Sequence, residues 1–218
     1  MTEKRIGLFG GTFNPIHLGH LRGAEEIREA FGLQEVIFIP AALPPHKMTG
    51  KIIQARHRLE MVKRATRKNS LFSASDVELK RRGKSYSIDT IRYFREKFED
   101  SLYFILGRDA FMEIETWKDF RNLFSLCNFI VMVRPGFIKT SPFPKALVPA
   151  FRYDRGTSGW VHSSGNLLFL KEINFLDISS TKVRELVEKG GSIKYLVPPE
   201  VETYIAKHGL YRQGKLRA

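Results

Sequence analysis

Short apolar runs alternate with amphipathic ones along most of this chain, and that alternation limits its fold more than any other feature. RIGLF (5–9), EVIFI (35–39), SLYFIL (101–106) and FIVMV (129–133) read as buried strands. Helical patterns lie between them. One begins near His17 or Leu18, with Leu21, Ala24, Ile27 and Phe31 on its apolar face and Gly32 to end it. Others span 54–67, 87–98 and 117–124, with 181–189 and 199–207 towards the C-terminus. The stretch 71–79 reads as weaker extended structure, and 167–170 and 173–176 as strand material. Strands alternating with helices imply an α/β, doubly wound, mostly parallel sheet with helices on both faces. A chain of 218 residues, 43% of them hydrophobic, can bury one sizeable core. A single domain over 1–218 is therefore expected, with a C-terminal helical portion from about residue 178. Between 134 and 165 the pattern weakens around Pro135, Pro142, Pro144 and Pro149; a surface excursion, a lid and an oligomer contact all fit.

Ligands in such sheets bind beyond the carboxyl ends of the strands, at the point where strand order reverses. That rule selects 10–20, 40–47, 107–109 and Arg134. In GGTFNPIHLGH (10–20), Gly10 and Gly11 follow the first strand and let the backbone come close to a ligand. The helix that starts a few residues later turns free N–H groups toward the same crevice, which makes an anion site. His17 and His20 are three apart and share a helix face. There they can donate to phosphate oxygens and stabilise charge on a five-coordinate phosphorus. Thr12 adds a hydroxyl, while Asn14 and Pro15 shape the turn. A plain tight turn and a two-histidine metal site are the bland alternatives, but no neighbouring carboxylate or cysteine completes a metal set. The glycine spacing is wrong for GxGxxG and no GK[ST] follows, which argues against a dehydrogenase and a P-loop ATPase.

LDISSTKVRELVEKGG is the second informative stretch. Ser179 or Ser180 can cap a helix there, and no Glu or Gln completes a capping box to claim the first-turn N–H groups. Lys182 and Arg184 put positive charge at the helix end that ordinarily favours negative neighbours. A bound phosphate chain makes sense of that mismatch; an ordinary serine-capped surface helix is the alternative.

Lys and Arg number 36 against 23 Asp and Glu, a net charge of +13 that attracts polyanions. Nucleic acid, an anionic membrane surface and a small phosphorylated substrate all qualify. The cations are spread along the chain, with no zinc-finger spacing or RNP-like motif, so no nucleic-acid partner is expected. No apolar run approaches spanning length, so no membrane is expected either. The lone Cys127 reads as a core residue. Its isolation and an N-terminus unlike a signal peptide point to the cytoplasm.

Together, GGTFNPIHLGH and ISSTKVRE resemble the nucleotidyltransferase superfamily, whose signatures HxGH and ISSTxxR occur here at 17–20 and 178–184. Within it the chain is similar to the bacterial nicotinate-nucleotide adenylyltransferases. PAALPPHK (40–47) resembles their substrate loop, SYSIDT (85–90) resembles their nicotinate-recognition segment, and Trp117 stands where they place a ring-stacking tryptophan. The resemblance implies a Rossmann-like sheet of the nucleotidyltransferase type. It implies transfer of the adenylyl group of ATP to nicotinate mononucleotide, with His17, His20, Lys47 and Arg184 as the catalytic set. ATP is expected at Gly10, Gly11, Thr12 and Phe13, with His20 nearest the reacting phosphorus. Gly107 and Asp109 are expected at a nucleotide ribose, and Ile178, Ser179, Ser180, Thr181 and Arg184 along the phosphate chain. On the acceptor side the resemblance places Asn14, Pro44, His46 and Lys47, with backbone donors at Tyr86 and Ser87 for the carboxylate and Trp117 for the ring. Tyr86 and Trp117 also read as packing residues, and Arg134 as either a phosphate ligand or a surface arginine. Magnesium is expected to accompany ATP through its phosphates and water, without a protein metal site.

There are two departures from the family pattern. Asn14 stands where Asp is usual, and Gly107-Arg108-Asp109 where the usual segment is GAD. Phosphopantetheine adenylyltransferases and cytidylyltransferases share both signatures and are the nearest alternatives; the PPHK loop and Trp117 point away from them. A homo-oligomer is left open.

Overall fold

A computed structural model describes residues 4–44, 52–136 and 143–212. Strand β1 (Arg5–Gly11) lies at the middle of the sheet. It pairs in parallel with β2 (Glu35–Pro40) on one side and β4 (Ser101–Gly107) on the other. β3 (Phe72–Ala74) continues outward from β2, and β5 (Asn128–Val133) from β4. Beyond β5 come β8 (Leu167–Glu172), parallel to it, and then the antiparallel pair β7 (Gly159–His162) and β6 (Phe151–Asp154). The order β3-β2-β1-β4-β5-β8-β7-β6 reverses direction between β1 and β4. The expected switch point is therefore real, and it lies at Gly10, Gly11 and Gly107.

Period-two alternation loads both faces of the central strands. Leu8, Ile37, Phe104 and Val131 face one core, with Ile88 and Ile91 of α4 (Ser87–Lys97) and Leu123 and Phe124 of α6 (Phe120–Leu126). Phe9, Phe38, Ile105 and Ile130 face the other. That core is covered by Ala24 and Ile27 of α1 (Leu18–Phe31), Met61 and Val62 of α2 (Ala55–Thr66) and Val201 and Ile205 of α8 (Pro199–His208). Each such side chain, once buried, contributes about 1.5–3 kcal/mol, so these two layers fix the strand order. Gly7 shows how close the packing is: a β-carbon there would lie 2.9 Å from Ile105 and Leu33 side-chain atoms. Gly32 ends α1 at φ 60°, and the Leu33 N–H donates back to the Arg28 carbonyl at 2.9 Å.

Four expectations need correction. Only Phe72–Ala74 of the 71–79 stretch is strand; the Ser75 hydroxyl accepts the Val77 N–H and the chain turns into α3 (Val77–Lys80). The helix expected at 117–124 starts later, because Asp119 sits in the left-handed region at φ 54°. Trp117 instead closes a short 3-10 turn, Ile114–Thr116, that follows α5 (Arg108–Met112). The part of 134–165 that is described is not a surface excursion. It adds β6 and β7 to the sheet and buries Phe143 against Trp160, with ring centroids 4.5 Å apart. Finally, 173–176 is not strand: the Asn174 N–H goes to the Glu26 carboxylate at 2.7 Å rather than to a neighbouring strand.

Cys127 is buried, and burial pushes its thiol up to about 12, as befits an inert core residue. No helix among the described residues is long and apolar enough to cross a membrane.

Candidate active site

A cavity of about 230 Å³ opens at the strand-order reversal. Gly10, Gly11 and Thr12 form one wall, Ala41 and Pro44 a second, and Gly107 and Ala110 a third. Its far end is closed by Tyr86 and Ser87 at the start of α4 and by Trp117 and Lys118. Trp117 is half-buried and lies nearly perpendicular to Phe104, with ring centroids 6.3 Å apart and planes at 86°. Among the first-turn N–H groups of α4, that of Asp89 is taken by the Tyr86 carbonyl at 3.2 Å, and the two before it have no acceptor within their own helix. Lys118, which the sequence reading did not select, adds a cation here, 4.7 Å from the Tyr86 ring and 3.2 Å from Asp89. Its only sequence signal was adjacency to Trp117.

The Gly10–Thr12 wall runs directly into the histidine segment. His17 caps α1 with extended backbone, and His20 lies in the first turn. Their rings stack at 3.6 Å, and the His17 N–H donates to His20 Nδ1 at 3.2 Å. A neutral imidazole that accepts at Nδ1 carries its proton on Nε2, so His20 keeps a donor on its far nitrogen. The helix start is less open than expected, since the Leu18 N–H is taken by the Leu196 carbonyl at 2.9 Å.

His17 is 6% exposed, and burial pushes its imidazole down to about 4. A histidine kept neutral in this way takes up its proton less readily folded than unfolded. Stability is then full above the ordinary value of 6.5 and is lost as pH falls toward 4. Burial lowers His57 and His162 in the same sense. The denaturation midpoint should therefore drop through that window, and His17→Gln should flatten the drop by up to about 3 kcal/mol. Urea titrations of both proteins at several pH values test this; parallel profiles would refute it.

Helix α7 (Ser180–Glu188) supplies the second motif. The Ser180 hydroxyl donates to the Pro15 carbonyl at 2.8 Å, and Arg184 Nη1 donates to the Asn14 carbonyl at 2.8 Å. Two motifs some 165 residues apart in sequence thus meet on one loop. Ser179 is the cap, and its hydroxyl accepts the Lys182 N–H at 3.1 Å, so one first-turn donor is claimed after all. Arg184 Nη2 also donates to the Thr181 hydroxyl at 3.2 Å.

Other nominated residues fall elsewhere. Phe13 is 3% exposed and packs on Phe9 and Phe38, so its side chain belongs to the second core. Asn14 is 5% exposed, and its Oδ1 accepts from the Ile53 N–H and the Tyr211 hydroxyl; the side chain braces the loop from behind. Asp109 is exposed in the first turn of α5 and does not line the cavity. Ile178 is half-buried against the second core. Arg134 is exposed, its guanidinium 3.9 Å from the Phe175 ring centroid. His46 and Lys47 lie outside the described residues. Among the described residues no three His, Cys, Asp or Glu side chains converge as metal ligands would.

A parallel sheet with a histidine pair at one helix start and an arginine from a second helix on the same loop defines a nucleotidyltransferase of the cytidylyltransferase-like class. The profile of that family, Cytidylyltransferase-like, matches residues 8–186. The probable nicotinate-nucleotide adenylyltransferase of Syntrophotalea carbinolica is 45% identical over 212 residues, covering 95% of this chain and 97% of the relative. That of Geobacter sp. (strain M21) is 47% identical over 211 residues, covering 95% and 98%. The chain belongs to the nicotinate-nucleotide adenylyltransferase family. Among solved structures, Plasmodium falciparum nicotinic acid mononucleotide adenylyltransferase complexed with NaAD shares the fold, with a TM-score of 0.70 at 22% identity over 95% of this chain and 97% of that one.

Proposed function

We propose that this protein transfers the adenylyl group of ATP to nicotinate mononucleotide, releasing pyrophosphate and forming deamido-NAD. The observation that carries the reading is the shared loop: the wall of the acceptor cavity, the histidine pair and Arg184 all join at residues 10–20. The acceptor's 5'-phosphate is already anionic at neutral pH and needs no strong general base. It attacks the α-phosphorus of ATP in line, and the P–O bond to pyrophosphate breaks. The protein's task is to hold both phosphates together and stabilise spreading charge.

His20 Nε2–H and the loop amides donate to the phosphate at the reacting centre. Arg184 and the start of α7 hold the leaving pyrophosphate. Magnesium, expected to accompany ATP, would supply neutralisation of phosphate charge when bound. At the other end, the start of α4 and Lys118 supply donors for a ring carboxylate, beside the Glu78 and Glu113 side chains that also line the cavity, and Trp117 lines it where the ring would stack. The lone, buried Cys127 suits a reducing cytoplasm.

Pyrophosphate release from ATP and Mg²⁺ tests the assignment, with nicotinate mononucleotide, nicotinamide mononucleotide or phosphopantetheine as acceptor. Rapid turnover is expected on the first. Equal rates on the first two remove the acid preference, and activity on the third alone overturns the acceptor. Trp117→Ala should raise the acceptor KM by about tenfold, the order of one stacking contact, with the ATP KM unchanged. An unchanged acceptor KM would return Trp117 to a packing role.

A further inference from the structure

Arg58 of α2 is 1% exposed and heads the largest wholly buried side chains. Burying a guanidinium is costly unless its donors are satisfied, and an apolar residue of similar size would fill the same space more cheaply. Packing alone does not account for it. Among the described residues Arg58 makes no ion pair; each of its three guanidinium nitrogens donates to a backbone carbonyl. Nη1 donates to Thr12 at 2.8 Å, Nη2 to Ala42 at 3.0 Å and Nε to Ile53 at 3.1 Å. Those carbonyls belong to the loop after β1, the loop after β2 and the turn into α2. Thr12 and Ala41 are cavity wall, so Arg58 stands behind two walls of the site without lining it.

Tyr211 works on the same loop from the far end of the sequence. Its hydroxyl donates to Asn14 Oδ1 at 3.0 Å. The Thr12, Asn14 and Pro15 carbonyls are thus all held, by Arg58, Arg184 and Ser180, and Tyr211 fixes the Asn14 side chain between them. A trans peptide with its carbonyl held on one side presents its N–H on the other: the Thr12 carbonyl, held by Arg58, leaves the Phe13 N–H, and the Pro15 carbonyl, held by Ser180, leaves that of Ile16, while the Asn14 peptide has none because proline follows. An N–H so presented suits an anion, whereas a carbonyl swung into its place would repel phosphate.

We propose that Arg58 and Tyr211 are positioning residues for adenylyl transfer: they touch neither substrate, and they hold the loop at 12–15 in the conformation that aims the Phe13 N–H at phosphate. This rests on the reaction proposed above. The buried positive charge of Arg58 also lies directly behind the phosphate loop, where it needs no contact to favour an anion.

The test uses the full chain carrying Arg58→Lys, Arg58→Met or Tyr211→Phe. Melting is followed by circular dichroism, and kcat and both KM values are measured by pyrophosphate release well below each melting temperature. Arg58→Lys keeps the charge but loses the planar fork. It should lower kcat by about tenfold to a hundredfold, with the acceptor KM within about twofold of wild type, as expected of a small misplacement of reacting groups. Tyr211→Phe removes one hydroxyl and should lower kcat by about fivefold, with little change in melting. A merely structural role would lower the melting temperature and leave kcat of the folded protein unmoved, and that result overturns the proposal. If the Arg58 variants do not fold, Tyr211→Phe decides alone. Wild-type turnover in the same assay tests the reaction itself, and only the ratio of variant to wild type tests the positioning role.

Discussion

His20→Ala is expected to lower kcat by about two to three orders of magnitude, because on the proposed reading it deletes one preorganised donor at the reacting phosphorus. The melting temperature stays close to that of the wild type. His20 is only half-buried, and its ring meets the edge of Phe13 at 5.1 Å rather than filling a core gap. Its Nδ1 takes the His17 N–H, so the loss includes a small capping contribution to α1. The catalytic loss is larger because the Nε2 donor is needed most when negative charge peaks on the phosphate oxygens. His20→Asn, which keeps a shorter donor, is expected between alanine and wild type. Turnover by His20→Ala within a few-fold of wild type would sink the role assigned to this residue.

Arg184→Ala should cost about a hundredfold in kcat/KM, with the ATP side of the reaction bearing most of the loss. Two contributions combine. The guanidinium places a full charge at the start of α7, and it ties that helix to the Asn14 carbonyl at 2.8 Å. Arg184→Lys separates them. Lysine restores the charge but cannot bond both the Asn14 carbonyl and the Thr181 hydroxyl in one plane, so recovery should be partial. Full recovery by lysine would mean that charge alone matters and that the tie to the loop is incidental. An alanine variant within threefold of wild type would remove Arg184 from the site altogether.

The main strands were legible because their apolar runs are bracketed by residues that stop a strand. RIGLF runs into Gly10 and Gly11, EVIFI into Pro40 and SLYFIL into Gly107, and the observed strands end on those residues. Helices α1, α2, α4, α7 and α8 lie within two residues of the spans expected, since each carries an apolar stripe and most have a glycine or proline near an end. What escaped the sequence was short or settled by distant contacts. Helix α3 is four residues long and hinges on one serine hydroxyl, and α6 was displaced by the backbone of Asp119. β6 and β7 have too few apolar residues to signal a strand, and they pair because Phe143 and Trp160 meet beneath them.

The two phosphate motifs were legible as motifs, and the structure brings them onto one loop. Their supports were not. Arg58 sits in an amphipathic helix where an arginine normally reads as solvated face, and only the meeting of three loops around it makes it interior. Asn14 read as a turn former with a place beside the substrate, and Tyr211 lies 197 residues away, beyond any local pattern. Lys118 was one cation among many until the fold set it beside Tyr86.

The tie between Asn14 and Tyr211 also bears on how the protein comes into being on the ribosome. Synthesis runs from the N-terminus, so the loop at 12–15 emerges early, with β1, and waits through most of translation for the groups that hold it. A nascent chain released before Ser180 can already pair β1 through β8, yet its phosphate loop has neither α7 nor Tyr211 to brace it. Such a fragment would also leave the second core without Val183, Val201 and Ile205, and it would be idle. Catalytic competence is therefore expected to arrive late and in one step, once the last braces have cleared the exit tunnel.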